Sequence, residues 1–196
     1  TNHGAFDLAA LRPIPHLTIA SPMNEIELRH LMYTAQLPDA GPFVIRYPRG
    51  RGVTIDWKKP MQALTVGNCR ILHEGEGTVV LTLGPIGNQV AEVVKELEAE
   101  GHRIAHYDMR FLKPIDEEIL QHVGEHFQRV ITVEDGTVKG GLGSAVLEFM
   151  ADHDLHPTIR RIGIPDEFIA HGKVEELHAL AGMDKKSLKE AITTQS

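Results

Sequence analysis

The sequence predicts an α/β protein built on a mainly parallel sheet with helices on both faces. Three observations carry that expectation. Val79-Val80-Leu81-Thr82-Leu83 is a nearly continuous apolar run, as a central strand buried on both faces requires. Strand-like and helix-like segments alternate from Thr78 to Ile162, giving four strands separated by helices. Helix ends carry capping residues, with Asn24 and Asp116 at two starts and Gly101 at one end.

In chain order, Leu17 to Pro22 reads as a short buried strand stopped by its proline. Asn24 then opens a helix with Glu25 and Glu27 in its first turn, where negative charge suits the helix dipole. Ile26, Leu28, Leu31, Met32 and Ala35 supply its apolar positions. Asp39 to Pro42 is a turn, and Phe43 to Tyr47 a second strand ended by Pro48. The rhythm then breaks between Gly50 and Asn68, where neither period holds, and a linker is expected. Gly67 to Gly77 resembles a hairpin entering the next unit.

From Thr78 the reading is regular. The central strand leads through Gly84-Pro85 into a helix bearing Val90, Val93, Val94 and Leu97 on one face. Arg103 to Asp108 is the second strand, and Asp116 caps a helix reaching Phe127. Val130 to Glu134 is the third strand, followed by a glycine-rich loop and a helix from Ser144. Thr158 to Ile162 is the fourth, and the tail from Lys173 is helical in pattern.

Composition narrows the function classes. A chain of 196 residues holds one large domain, or one domain and part of another. With 42% apolar and 24% charged residues it is not a disordered chain. No apolar run approaches the ~20 residues of a membrane span. A net charge of −7 argues against nucleic acid or an anionic membrane as the main partner. The single cysteine, Cys69, forms no internal disulfide, and a reducing, cytoplasmic setting is the simple expectation. Thr1 to Asp7 has neither initiator Met nor leader character and reads as the interior of a longer protein.

Few segments carry chemistry by spacing alone. Tyr47-Pro48-Arg49-Gly50 sets Arg49 just past a strand end, where open α/β sheets place ligand contacts. Its guanidinium fork suits phosphate or carboxylate, and the alternative is a solvated basic turn. Gly140-Gly141-Leu142-Gly143-Ser144 can offer main-chain N–H groups to an anion. It lacks the Lys-Ser/Thr of a P-loop, which favours the other role, close approach of a second backbone or subunit. His122 to His126 matches the His-x-x-Glu-His zinc pattern by what looks like chance among twelve histidines. No metal ligands are expected there.

Taken together, the motifs resemble one family. Thr1, Gly4 to Leu8, Leu11-Arg12, Ala20-Ser21-Pro22 and Arg46 to Gly50 are similar to the pyrimidine-domain end of the 1-deoxy-D-xylulose-5-phosphate synthases. Asp108 to Asp116, Val133 to Asp135, Gly140 to Ser144 and Gly163 to Ile169 resemble their C-terminal, transketolase-like domain. Transketolases and the β subunits of 2-oxoacid dehydrogenases share that architecture but match the Tyr47 to Gly50 and Ile164 to Asp166 segments less well.

The resemblance implies three parts: residues 1–55 as the end of a pyrimidine-binding domain, 56–70 as linker and 71–196 as the C-terminal domain. It implies an enzyme that joins pyruvate to glyceraldehyde 3-phosphate with loss of carbon dioxide, using thiamine diphosphate and Mg²⁺. It further implies a homodimer serving non-mevalonate isoprenoid synthesis. Arg49 would hold the aldehyde's phosphate. Asn2 aligns with the family's active-site histidine, and His3 with the next position. An asparagine hydrogen-bonds but exchanges no proton near neutral pH, so any acid/base role would be lost or left to His3. The cofactor's diphosphate site and its activating glutamate are expected upstream of Thr1. The chain alone is therefore expected to be inactive, to bind no cofactor, and to have residues 1–10 disordered. The alternative is a non-catalytic subunit of a split transketolase-like or 2-oxoacid dehydrogenase-like assembly.

Overall fold

The described residues form two sheets, and one strand of the smaller sheet comes from the middle of the larger unit's sequence. The computed structural model describes residues 4–48, 50, 52–53, 56–167, 178–179 and 181–194. The first elements are α1 (Asp7–Leu11), β1 (Thr18–Ala20), α2 (Glu25–Thr34) and β2 (Phe43–Ile45). There follow β3 (Arg70–His73), β4 (Gly77–Leu83), α3 (Ile86–Ala99), β5 (Ala105–Asp108) and β6 (Phe111–Lys113). The rest comprises α4 (Glu117–His126), β7 (Phe127–Thr137), α5 (Leu142–Asp152), β8 (Thr158–Ile164) and α6 (Lys185–Thr193).

The larger sheet runs β3-β5-β4-β7-β8, parallel throughout except for the antiparallel edge strand β3. Alternation along β4 sorts its core into two layers. Val79 and Leu81 face α4 and α5 with Leu120, Val123, Val146 and Phe149, while Val80 faces α3 and α6 with Val90, Val94, Leu97 and Leu188. Helices therefore cover both faces. Capping follows the chemistry of the sequence: Asn24 accepts the N–H of Glu27, and Asp116 that of Ile119. No helix among the described residues is long and apolar enough to cross a membrane.

Four expectations need correction. β3 and β4 do not form a hairpin, because both sides of β4 are occupied by parallel neighbours and β3 takes the free edge of β5. Gly75 makes that path possible, since a Cβ there would lie 2.2 Å from the Ala105 nitrogen. β6 appears in none of the sequence patterns. It pairs antiparallel with β1 and completes a three-stranded sheet, β2-β1-β6. The strand expected over 130–134 runs from Phe127 to Thr137, its last rung joining Thr137 to Ile164. Finally, residues 4–10 are ordered. Leu8 is buried in the core and the Ala5 carbonyl accepts the N–H of Thr137 at 2.9 Å.

Between the sheets, residues 56–69 form no helix or strand, and residues 57–64 run along α2. The Gln62 N–H bonds His30 Nδ1 at 3.0 Å, and the Leu64 N–H bonds Thr34 Oγ1 at 2.9 Å. Arg29 lies over the Trp57 ring at 5.4 Å. Helix side chains thus satisfy main-chain donors that a sheet partner would otherwise satisfy.

Candidate functional site

The residues singled out by the sequence, Asn2, His3 and Arg49, lie outside the described residues, as do Arg51, Phe168, Ile169 and the start of the helical tail at Lys173. The described neighbours of Arg49 and Arg51 line a cavity. Beyond the C-terminal ends of β1, β2 and β4 lies a cavity of about 270 Å³. Pro22 to Glu25 and Leu28 form one wall, Tyr47, Pro48, Gly50, Gly52 and Val53 a second, and Pro85 and Asn88 from the start of α3 a third. Parallel strands place ligands at this end because their following loops and helix starts converge there.

Polar contacts hold these walls together. Asn88 donates through Nδ2 to the Met23 carbonyl at 2.8 Å. Ser21 donates through Oγ to the Arg46 carbonyl at 2.9 Å, tying the ends of β1 and β2. Glu25 accepts the Val53 N–H across the cavity mouth.

Behind the first wall is a cluster that sequence spacing did not disclose. Glu27 on α2 is buried and accepts from Arg110 Nε at 2.7 Å and Nη2 at 2.9 Å, with Arg70 Nη1 at 3.4 Å. Arg70 also reaches Asp108 at 3.1 Å and the Met23 sulfur at 3.6 Å. Asp108 is fully buried, and burial, opposed by Arg70, pushes its carboxyl up to about 6. The four side chains are separated by as many as 83 positions, so no local motif signals them.

The main-chain N–H groups of the glycine-rich loop already have an acceptor within the chain. The Glu134 carboxylate accepts the N–H of Leu142 at 2.7 Å and of Gly143 at 3.0 Å, capping α5 from beneath. Side chains of this chain lie close to the loop: a Cβ at Gly140 would lie 3.3 Å from the Ala9 side chain, and one at Gly143 would lie 2.7 Å from that of Arg161. His122 and His126 stack at 4.3 Å, and His126 Nδ1 engages the His122 carbonyl, a geometry that does not converge on an ion. Burial, with Asp116 beside it, pushes the Cys69 thiol up to about 12, which leaves it without nucleophilic character near neutral pH.

Among the described residues, no group of three or more His, Cys, Asp or Glu side chains is placed to hold a metal ion.

Comparison with known proteins bears on the family and the fold. The family model "Transketolase, C-terminal domain" matches residues 67–188, and "Transketolase, pyrimidine binding domain" matches residues 1–53. The chain is 61% identical over 196 residues to a 1-deoxy-D-xylulose-5-phosphate synthase of Bacteroides thetaiotaomicron, covering 100% of this chain and 30% of that protein. It is 58% identical over 193 residues to one of Phocaeicola vulgatus, covering 98% and 30%. The chain thus spans about 30% of the length of these curated relatives. Among solved structures, "Split gene transketolase, inactive beta4 tetramer" superposes with a TM-score of 0.84 at 29% identity, over 96% of this chain and 60% of that one. A Campylobacter jejuni transketolase superposes with a TM-score of 0.71 at 17% identity, over 97% and 28%, a likeness of fold alone.

Proposed function

The chain belongs to the transketolase family, and from that premise we propose that it works as the carboxy-terminal third of a 1-deoxy-D-xylulose-5-phosphate synthase. In this reading residues 1–55 end the pyrimidine-binding domain, 56–70 are the linker and 71–196 are the C-terminal domain. The whole enzyme is a cytoplasmic homodimer that uses thiamine diphosphate and Mg²⁺. It decarboxylates pyruvate and transfers the remaining two carbons to the aldehyde of glyceraldehyde 3-phosphate. The cofactor supplies the electron sink for that chemistry, and this chain's residues supply placement and charge.

The observation that carries the reading is the cavity at the ends of β1, β2 and β4, walled by Tyr47, Pro48 and Gly50. Arg49 stands in sequence between two of these lining residues and is assigned the substrate phosphate, a planar, bidentate match. Asn2 can orient a polar group but moves no proton, so an acid/base role in the N-terminal segment is either lost or carried by His3.

The test is the complete reading frame, purified and supplied with pyruvate, glyceraldehyde 3-phosphate, thiamine diphosphate and Mg²⁺. Formation of 1-deoxy-D-xylulose 5-phosphate is the expected result. A folded protein that binds the cofactor yet makes no such product overturns the reading. One observation favours a second possibility: the split-gene chain that superposes here is described as an inactive tetramer. A start codon at the position of Thr1, with a separately encoded thiamine-binding chain, would support that subunit instead.

A further inference from the structure

We propose that the Glu27–Arg110 pair, backed by Arg70 and Asp108, is a positioning device by which the larger unit sets the wall of the substrate-phosphate cavity. The inference rests on the functional reading above and adds to it the residues that fix the geometry of that site.

Three contacts from the larger unit converge on the turn that joins β1 to α2. Arg110 grips Glu27 through a two-point fork at 2.7 and 2.9 Å. Arg70 spans Glu27, Asp108 and the Met23 sulfur. Asn88, at the start of α3, bonds the Met23 carbonyl at 2.8 Å. Met23, Asn24 and Glu25 are themselves cavity-lining residues, and Asn24 accepts the N–H of Glu27, so the gripped residue and the wall belong to one helical turn.

The device is specific in shape. Glu27 is 3% exposed, so its charge has little water to fall back on if Arg110 is lost. Arg110 adopts a left-handed conformation, φ 59°, and its N–H bonds Asp108 Oδ1 at 3.2 Å, which aims the side chain back across the boundary. A lysine at 110 would keep the charge but lose the fork. The cavity is lined from the turn before α2, α2 itself, the segment after β2 and the start of α3, whereas Arg70 and Asp108 lie on β3 and β5 and Arg110 in the turn after β5, away from the lining. A small displacement of this turn alters the cavity where the phosphate is assigned, without touching the groups that react.

The experiment uses Arg110→Lys and Glu27→Gln in the complete synthase, with melting temperature, hydrogen exchange of residues 22–28 and steady-state kinetics for each substrate. The expected result is faster exchange at residues 22–28 and a KM for glyceraldehyde 3-phosphate raised roughly tenfold. The KM for pyruvate should stay within about twofold, and preference for the phosphorylated aldehyde over glyceraldehyde should narrow. Unchanged exchange, or an unchanged KM for the phosphorylated aldehyde in a folded variant, overturns the proposal. So does a uniform loss in both substrates that tracks melting temperature. Failure of the functional reading is separately visible, because the wild-type enzyme would then make no product, while exchange still reports whether the pair holds the turn.

Discussion

Glu134 accepts the main-chain N–H of Gly143 at 3.0 Å from within the strand that precedes the helix, so α5 is capped by its own sheet. Burial pushes this carboxyl from 4.5 up to about 7, against the two N–H groups that favour its charge. The folded state therefore keeps a proton that the unfolded chain has released. The Glu134 contribution to stability is complete below pH 4.5 and declines as pH rises to about 7. Asp108, raised from 3.8 to about 6, acts in the same direction over its own window. Urea-unfolding midpoints at about pH 5 and about pH 7.5 should differ less in Glu134→Gln than in the wild type.

His106 carries the opposite sign. Burial, aided by the charges of His73 and Arg70, lowers it from 6.5 to about 3. Its contribution is present above pH 6.5 and is lost as pH falls toward 3. Nitrogen chemical shifts should report a neutral ring at about pH 5 in the folded protein. Nε2 lies 2.8 Å from Thr82 Oγ1, and Nδ1 is buried without a partner among the described residues. Thr82→Val should therefore cost about 1–3 kcal/mol in denaturant unfolding.

Two glycines of the larger unit, Gly75 after β3 and Gly136 within β7, should respond unequally to alanine. A Cβ at Gly75 meets the backbone of Ile104 and Ala105 at 2.5 and 2.2 Å, and backbone cannot step aside cheaply. Gly75→Ala should cost about 1–3 kcal/mol or more, while Gly136→Ala, whose nearest neighbour is 3.3 Å away, should cost less than about 1 kcal/mol. Thermal denaturation of the pair checks the ranking.

Replacing Arg49 by alanine in the complete synthase should raise the KM for glyceraldehyde 3-phosphate ten- to a hundredfold. That is the loss of one charge-assisted contact, about 1.5–3 kcal/mol. Steady-state kinetics with pyruvate saturating measure it directly.

Calorimetric titration of this chain with thiamine diphosphate and Mg²⁺ should give no saturable heat at micromolar cofactor. Micromolar binding together with pyruvate turnover would relocate the active site into these residues.

Local chemistry made much of the fold readable. Asn24 and Asp116 announce their helices because a capping side chain acts within three residues of its position. The layers on both sides of β4 follow from side-chain alternation. Phe111, Leu112 and Lys113 gave no such signal: three residues are too few for a period, and their partner Ile19 lies far back in the chain. Glu134 was visible beside the glycines, but whether their N–H groups face inward or outward depends on the bend between strand and helix. The Glu27–Arg110 grip is wholly long-range, though Arg110 sat within a segment that the family resemblance had already picked out.

β6 belongs to the larger unit by sequence and to the smaller sheet by hydrogen bonding, with Ile19 opposite Lys113 and Ala20 opposite Phe111. The boundary between the units is thus a seam stitched from both sides. Nicking the connecting segment near residue 60 should leave two pieces that stay together and melt in one cooperative transition. Exchanging the larger unit between relatives by recombination would succeed only where the incoming Phe111 to Lys113 segment fits the resident Thr18 to Ala20 strand. Such a module travels with its seam or not at all.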